Sequence, residues 1–153
     1  MNIASNRGFG IAAEGISEVS YILVINVLRF LSVKVGRLGL IKFKPGLYVY
    51  IGSAKRNFLS RIRRHLAKNK RRFWHIDYLL TQKEARVERV YFTKRRDEYQ
   101  LARGLMGFPY IKDFGSSDCR SSSHLFYIEK RNRRFYDFLK DNYLTLWKNP
   151  ISD

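Results

Sequence analysis

Apolar positions along the chain fall into two kinds of run. Val19-Ser-Tyr-Ile-Leu-Val-Ile-Asn-Val27 is β-branched and aromatic with few polar breaks, the pattern of a buried strand. Residues 31–35 predict a second, shorter strand, closed by a turn at Gly36 and Gly39. Pro45-Gly46 signals another turn, after which residues 47–51 read as a strand that Gly52 and Ser53 are expected to stop. Residues 87–93 and Leu125–Ile128 complete the set. Helical spacing begins after Asn57, an N-cap candidate, where Phe58, Leu59, Ile62 and Leu66 would be buried. The opposite face then carries Arg61, Arg64, His65 and Lys68, with Arg61 and His65 side by side. A short helix is expected over 74–80. Asp97-Glu-Tyr-Gln100 opens another as a capping box, running to about residue 107. Phe135, Phe138, Leu139, Leu146 and Trp147 suit a C-terminal amphipathic helix. The order is not a βαβ alternation, so the fold class is α+β: a small mixed or antiparallel sheet flanked by helices. Residues 1–18, rich in Gly, Ala, Ser and Asn, read as a flexible lead-in. Residues 19–130 read as one domain, and 131–153 as the helix packed on it.

Composition narrows the partners. Thirty Lys and Arg against thirteen Asp and Glu leave a net charge of +17, which invites a polyanion. The charge is also segregated. Between residues 19 and 76 there is no acid at all, while fourteen Lys and Arg occur there, nine of them from Lys55 to Arg72. A merely solvated surface would intersperse the signs. Nucleic acid, DNA in the first place, is the expected partner. A membrane is not, because no apolar run approaches the roughly 20 residues needed to span one. Cys119 is the only cysteine, and the first sixteen residues lack a continuous apolar segment, so a reducing cytoplasm is expected.

The candidate chemistry lies in an ordered set: Ser20-Tyr21-Ile22, Tyr50-Ile51-Gly52-Ser53-Ala54, Arg61, His65 and Glu98. The set resembles the GIY-YIG nuclease superfamily over roughly residues 19–128. Gly-Leu-Tyr-Val-Tyr-Ile-Gly-Ser-Ala, His75-Ile-Asp-Tyr-Leu-Leu80 and Phe114-Gly-Ser-Ser-Asp-Cys119 before Ser123-His-Leu125 resemble a branch sometimes fused to DNA-repair enzymes. The resemblance implies a metal-dependent endonuclease. In it Tyr21 or Tyr50 takes a proton from water, Arg61 and His65 meet the scissile phosphate, and Glu98 holds Mg²⁺ or Mn²⁺. Three departures stand against it: Ser20 replaces the first motif's Gly, the segment between the motifs is long, and a late Asn has no counterpart. They favour the alternative of a non-catalytic nucleic-acid adaptor on the same scaffold.

Each residue also has a plainer reading. Both tyrosines suit half-buried strand positions. Glu98 in a first helical turn meets the macrodipole, worth about 0.3–1 kcal/mol. His65 reads equally as an exposed phosphate contact or a general acid. His75, Asp77, Cys119 and His124 lack the paired spacing of a zinc site. Lys55, Arg56, Arg64, Lys68, Lys70, Arg71 and Arg72 are expected to contact phosphates. Ser116 and Ser117 are expected to line the cleft, with Asp118 a possible second carboxylate. The basic clusters at 68–74 and 130–134, with Phe73, Trp74 and Phe135 adjacent, read either as solvated charge over core aromatics or as a duplex-tracking face with base stacking; of the latter, phosphate contacts are favoured over stacking.

Overall fold

Nine-residue strands β1 (Val19–Val27) and β4 (Gly46–Ala54) pair antiparallel along their full length, Val19 opposite Ala54 and Val27 opposite Gly46. The computed structural model describes residues 18–117, 119–129 and 132–148. On the other side of β1 runs β5 (Ala85–Thr93), also antiparallel, with a register shift between Val24 and Ile25. Strand β6 (Leu125–Ile128) borders β4 and β7 (Thr145–Leu146) borders β5, giving the order β6-β4-β1-β5-β7. Every pair is antiparallel, which resolves the expected mixed or antiparallel sheet to the latter. The fold is α+β.

β1 is apolar without a break because it is the central strand and both its faces are covered. Tyr21, Leu23, Ile25 and Val27 join one core with Phe58, Ile62, Ile76 and Leu79. Those residues come from helices α1 (Phe58–Leu66) and α2 (His75–Leu80). Ile22 and Val24 join a second core with Leu101, Leu105, Phe135 and Phe138, supplied by α3 (Glu98–Gly104), its C-terminal turn and α4 (Arg133–Asp141). The capping box expected at Asp97 is present. Gln100 N–H donates to Asp97 Oδ1 at 2.8 Å, and Asp97 N–H donates to Gln100 Oε1 at 2.9 Å.

Several expectations are corrected. β4 runs through Gly52 and Ser53 instead of stopping there. After β2 (Leu31–Lys34) and the turn at Gly36 and Gly39 the chain forms an additional strand, β3 (Leu40–Phe43), paired with β2 as a separate hairpin. Leu146 and Trp147 are not helical. α4 ends at Asp141, and the chain then turns so that β7 edges the sheet, Trp147 N–H donates to Val90 O at 2.8 Å, and its ring meets Phe58 edge-on. Asn57 stands at the N-cap position of α1, but in the left-handed region (φ 58°) with no side-chain cap bond. α1 is also rotated from the expected phase. Phe58, Ile62 and His65 are buried, and Leu66 is exposed. The expected lead-in lies outside the described residues except for Glu18.

Candidate active site

The start of β1 and the end of β4 lie side by side at one end of the sheet, and Tyr21 stands directly opposite Gly52. A methyl group on Gly52 would lie 2.5 Å from both Cζ and the hydroxyl of Tyr21, so only glycine lets the ring lie across the neighbouring strand. The ring therefore points at α1. There the Tyr21 hydroxyl lies 2.7 Å from His65 Nε2. Tyr50, two strand positions before Gly52 and on the same face, also meets His65, ring centroids 6.1 Å apart. His65 is thus not an exposed phosphate contact, as one sequence reading had it. It is buried against Tyr21, Tyr50 and Trp74, and a leucine at that point could not partner a buried phenol.

Arg61, one turn before His65, donates to Ser53 O at 2.8 Å and also interacts with the Tyr21 hydroxyl. Which of the Tyr21 hydroxyl and His65 Nε2 donates in this bond is set by the imidazole tautomer. His65 Nδ1 is buried with no hydrogen-bond partner among the described residues. Burial first, then the nearby Lys70 charge, lower the His65 pKa to about 3, so the imidazole is neutral. Burial raises Tyr21 well above a free phenol, and Arg61 opposes that rise. Tyr50 is raised by burial and then by the Tyr21 and Glu98 charges. Glu98, half-buried in the first turn of α3, acts on both tyrosines, so its carboxylate shares their electrostatic environment.

Two groups that the sequence reading left without a role build the walls. Asp77, fully buried on α2, accepts from Arg64 through both oxygens (2.9 and 2.8 Å) and from the amides of Phe73 and Trp74 at 2.8 Å. Burial disfavours its charge, but these donors outweigh it and hold the carboxyl below the ordinary range. The guanidinium groups of Arg61 and Arg64 lie 4.6 and 4.4 Å from the Trp74 ring centre. His75 Nδ1 accepts from Gly115 N–H at 2.8 Å, and Phe114 packs on His75 and Tyr50. This fixes Gly115 (φ 72°) over Tyr50, where a side-chain carbon would come within 3.2 Å of the ring. The 113–117 loop therefore does border the site. Ser117 is exposed, whereas Ser116 is buried with its hydroxyl unpartnered among the described residues. Asp118 and residues 130–131 of the second basic cluster lie outside the described residues. The signal that could have revealed Gly52 was a glycine inside an apolar strand. Asp77 was signalled as the first acid after a long basic stretch.

The basic residues divide in two. Lys55, Arg56, Arg71 and Arg72 are exposed. Arg64 is held by Asp77 and also donates to Arg71 O. Lys68 donates to the carbonyls of Leu80, Gln82 and Ala85. Lys70 is nearly buried and donates to Arg64 O and His65 O at the end of α1. These three side chains, expected at phosphates, fasten the loop between α1 and α2.

An antiparallel α+β domain with a tyrosine, histidine and arginine cluster at one sheet end is the class these observations define. The family model described as "Domain of unknown function DUF123" matches residues 20–144, and the chain belongs to that family. Comparison with curated proteins and with solved structures found no match. Among the described residues no helix is long and apolar enough to cross a membrane.

Proposed function

We propose that the chain is a metal-dependent endonuclease of GIY-YIG type, cutting phosphodiester bonds in nucleic acid, with DNA the first substrate to try. The observation that carries this reading is the convergence of Tyr21, Tyr50, Arg61 and His65, residues from three separate elements, on one end of the sheet, with the Glu98 charge acting on both tyrosines. A structural role alone would account for the tyrosines as core. It would also account for Glu98 as an acid in the first turn of α3, but not for a buried histidine set against two buried phenols with an arginine at one of them.

Hydrolysis needs a water stripped of a proton, a cation at the phosphoryl oxygens and relief of charge on the leaving oxygen. Tyr21 is the residue arranged to take the proton. Its phenolate would take that proton, and Arg61 is the cation that favours the phenolate against burial. Arg61, fixed by Ser53 O and Trp74, keeps donors for a phosphate oxygen. Among the described residues no group of three or more His, Cys, Asp or Glu could enclose a metal. The donor set fits Mg²⁺ or Mn²⁺ all the same, because Mg²⁺ is held through one or two carboxylates while keeping waters and substrate phosphate oxygens. Glu98 would hold it, and the ion would supply charge stabilisation at the phosphate.

The test is cleavage of labelled flapped, branched and duplex DNA and of RNA, with Mg²⁺ or Mn²⁺ and with chelator. Metal-dependent cutting lost in Glu98→Gln and reduced at least about 100-fold in Tyr21→Phe is the expected result, the size typical of a general base. Tight binding with no cutting across that panel would favour the adaptor, the reading motivated by Ser20 in place of glycine.

A further inference from the structure

Phe73 is 75% exposed, although it follows Arg71 and Arg72 and adjoins half-buried Trp74. It is not loose. Its amide donates to the buried Asp77 carboxylate at 2.8 Å, and its ring stands edge-on to Trp74, centroids 5.6 Å apart. Trp74 in turn meets His65 at 6.0 Å, and His65 meets Tyr21 at 5.6 Å. A continuous series of rings therefore leads from an exposed, fixed phenyl to the candidate base. Arg61 and Arg64 lie against the middle ring, so the surface around Phe73 is cationic. Among the described residues the other strongly exposed phenylalanine, Phe30 (71%), follows β1 at the opposite end of that strand from Tyr21.

We propose that Phe73 is a stacking platform for one unpaired nucleobase next to the phosphate that Arg61 meets, which makes the substrate a nucleic acid with an unstacked nucleotide, such as a flap, gap or bulge. This rests on the nucleic-acid reading above and names its substrate class. A rigid aromatic offers a base a π face at little entropic cost. Inside an intact duplex both faces of each base are covered by its neighbours, so a protruding ring has nothing to stack on. Arg61 and the exposed Arg71 and Arg72 supply the sequence-independent attraction to the backbone. One sequence reading had these aromatics as core. That holds for Phe135, which is buried, but not for Phe73.

The test uses the full chain in chelator, so that binding is read without cutting, against three DNA duplexes of matched charge: fully paired, with one unpaired nucleotide, and with that nucleotide abasic. The wild type is expected to prefer the unpaired base over the abasic site by about tenfold, within the range that base–aromatic stacking gives. Phe73→Ala should erase that preference while leaving the paired duplex within about twofold, since phosphate contacts are untouched. Phe73→Trp should restore it. Salt-sensitive binding in which Phe73→Ala keeps the preference, or weakens all three probes alike, overturns the platform and leaves the nucleic-acid reading standing. Failure of the wild type to bind any of the three with salt sensitivity brings down that reading, and the platform with it.

Discussion

At the scale of the residue, the site depends on side chains held against their preferences. Gly52→Ala would drive a methyl into the Tyr21 ring, which is buried and backed by Phe58 and His65. We expect a loss of about 1–3 kcal/mol in urea unfolding, as for other overpacked cores. In a Tyr21→Ala background the same change should cost little, and that non-additivity is the signature of a direct clash. His65 offers a second measurement. Its folded pKa of about 3 lies below the ordinary histidine value of 6.5, so between those values the unfolded chain binds a proton that the folded chain does not. Its neutral form therefore supports the fold fully near pH 7, and that support is lost as the pH falls. From pH 7 to pH 4 the wild type should lose about 2–3 kcal/mol more stability than His65→Gln, the comparison cancelling the carboxylates common to both. Equal acid sensitivity of the two proteins would mean that His65 is not buried neutral.

At the scale of the element, the segment between α1 and α2 explains why part of the site was illegible in the sequence. β1, β6, α2 and the capping box of α3 follow from period, branching and caps, which are local properties. So does the pairing of Tyr21 with the second motif, once the motifs are taken as neighbouring strands. The burial of His65 is not local. Leu66 is the more apolar residue, and His65 is chosen for the core only because the Tyr21 hydroxyl lies beneath it and needs a partner. Lys70 and Arg64 likewise look like surface charge until Asp77 and the end of α1 arrive from elsewhere in the fold. Asp77→Ala removes a buried carboxylate from one partly exposed arginine, two amides and the Lys70 ammonium 4.0 Å away. We expect a cost of about 3 kcal/mol and faster amide exchange at Phe73 and Trp74 than in the rest of α2. The pH sign is the ordinary acid one. Asp77's contribution is present above its unfolded pKa and fades as the pH falls through the depressed folded value. Its loss thus comes at lower pH than that of His65.

At the scale of the whole molecule, a net charge of +17 is too blunt a quantity to predict binding, because the fold divides the cations by task. Lys55, Arg56, Arg71 and Arg72 are exposed. Lys68 and Lys70 have their ammonium groups turned onto backbone carbonyls, and burial pushes the Lys70 pKa down to about 8. If about six phosphates are neutralised, log affinity for duplex DNA should fall against log salt with a slope near about −5. Arg71→Ala together with Arg72→Ala should reduce that slope by about 2, close to 0.9 for each released counterion, and should weaken all sequences alike. Lys70→Met carries the same loss of formal charge as either arginine change. Because its cation faces the end of α1, it should leave the slope unchanged and appear in the unfolding midpoint instead. Lys70→Met lowering the slope as an arginine change does would show that its ammonium leaves the carbonyls to meet phosphate. The loop would then be remade on binding, not presented ready-made.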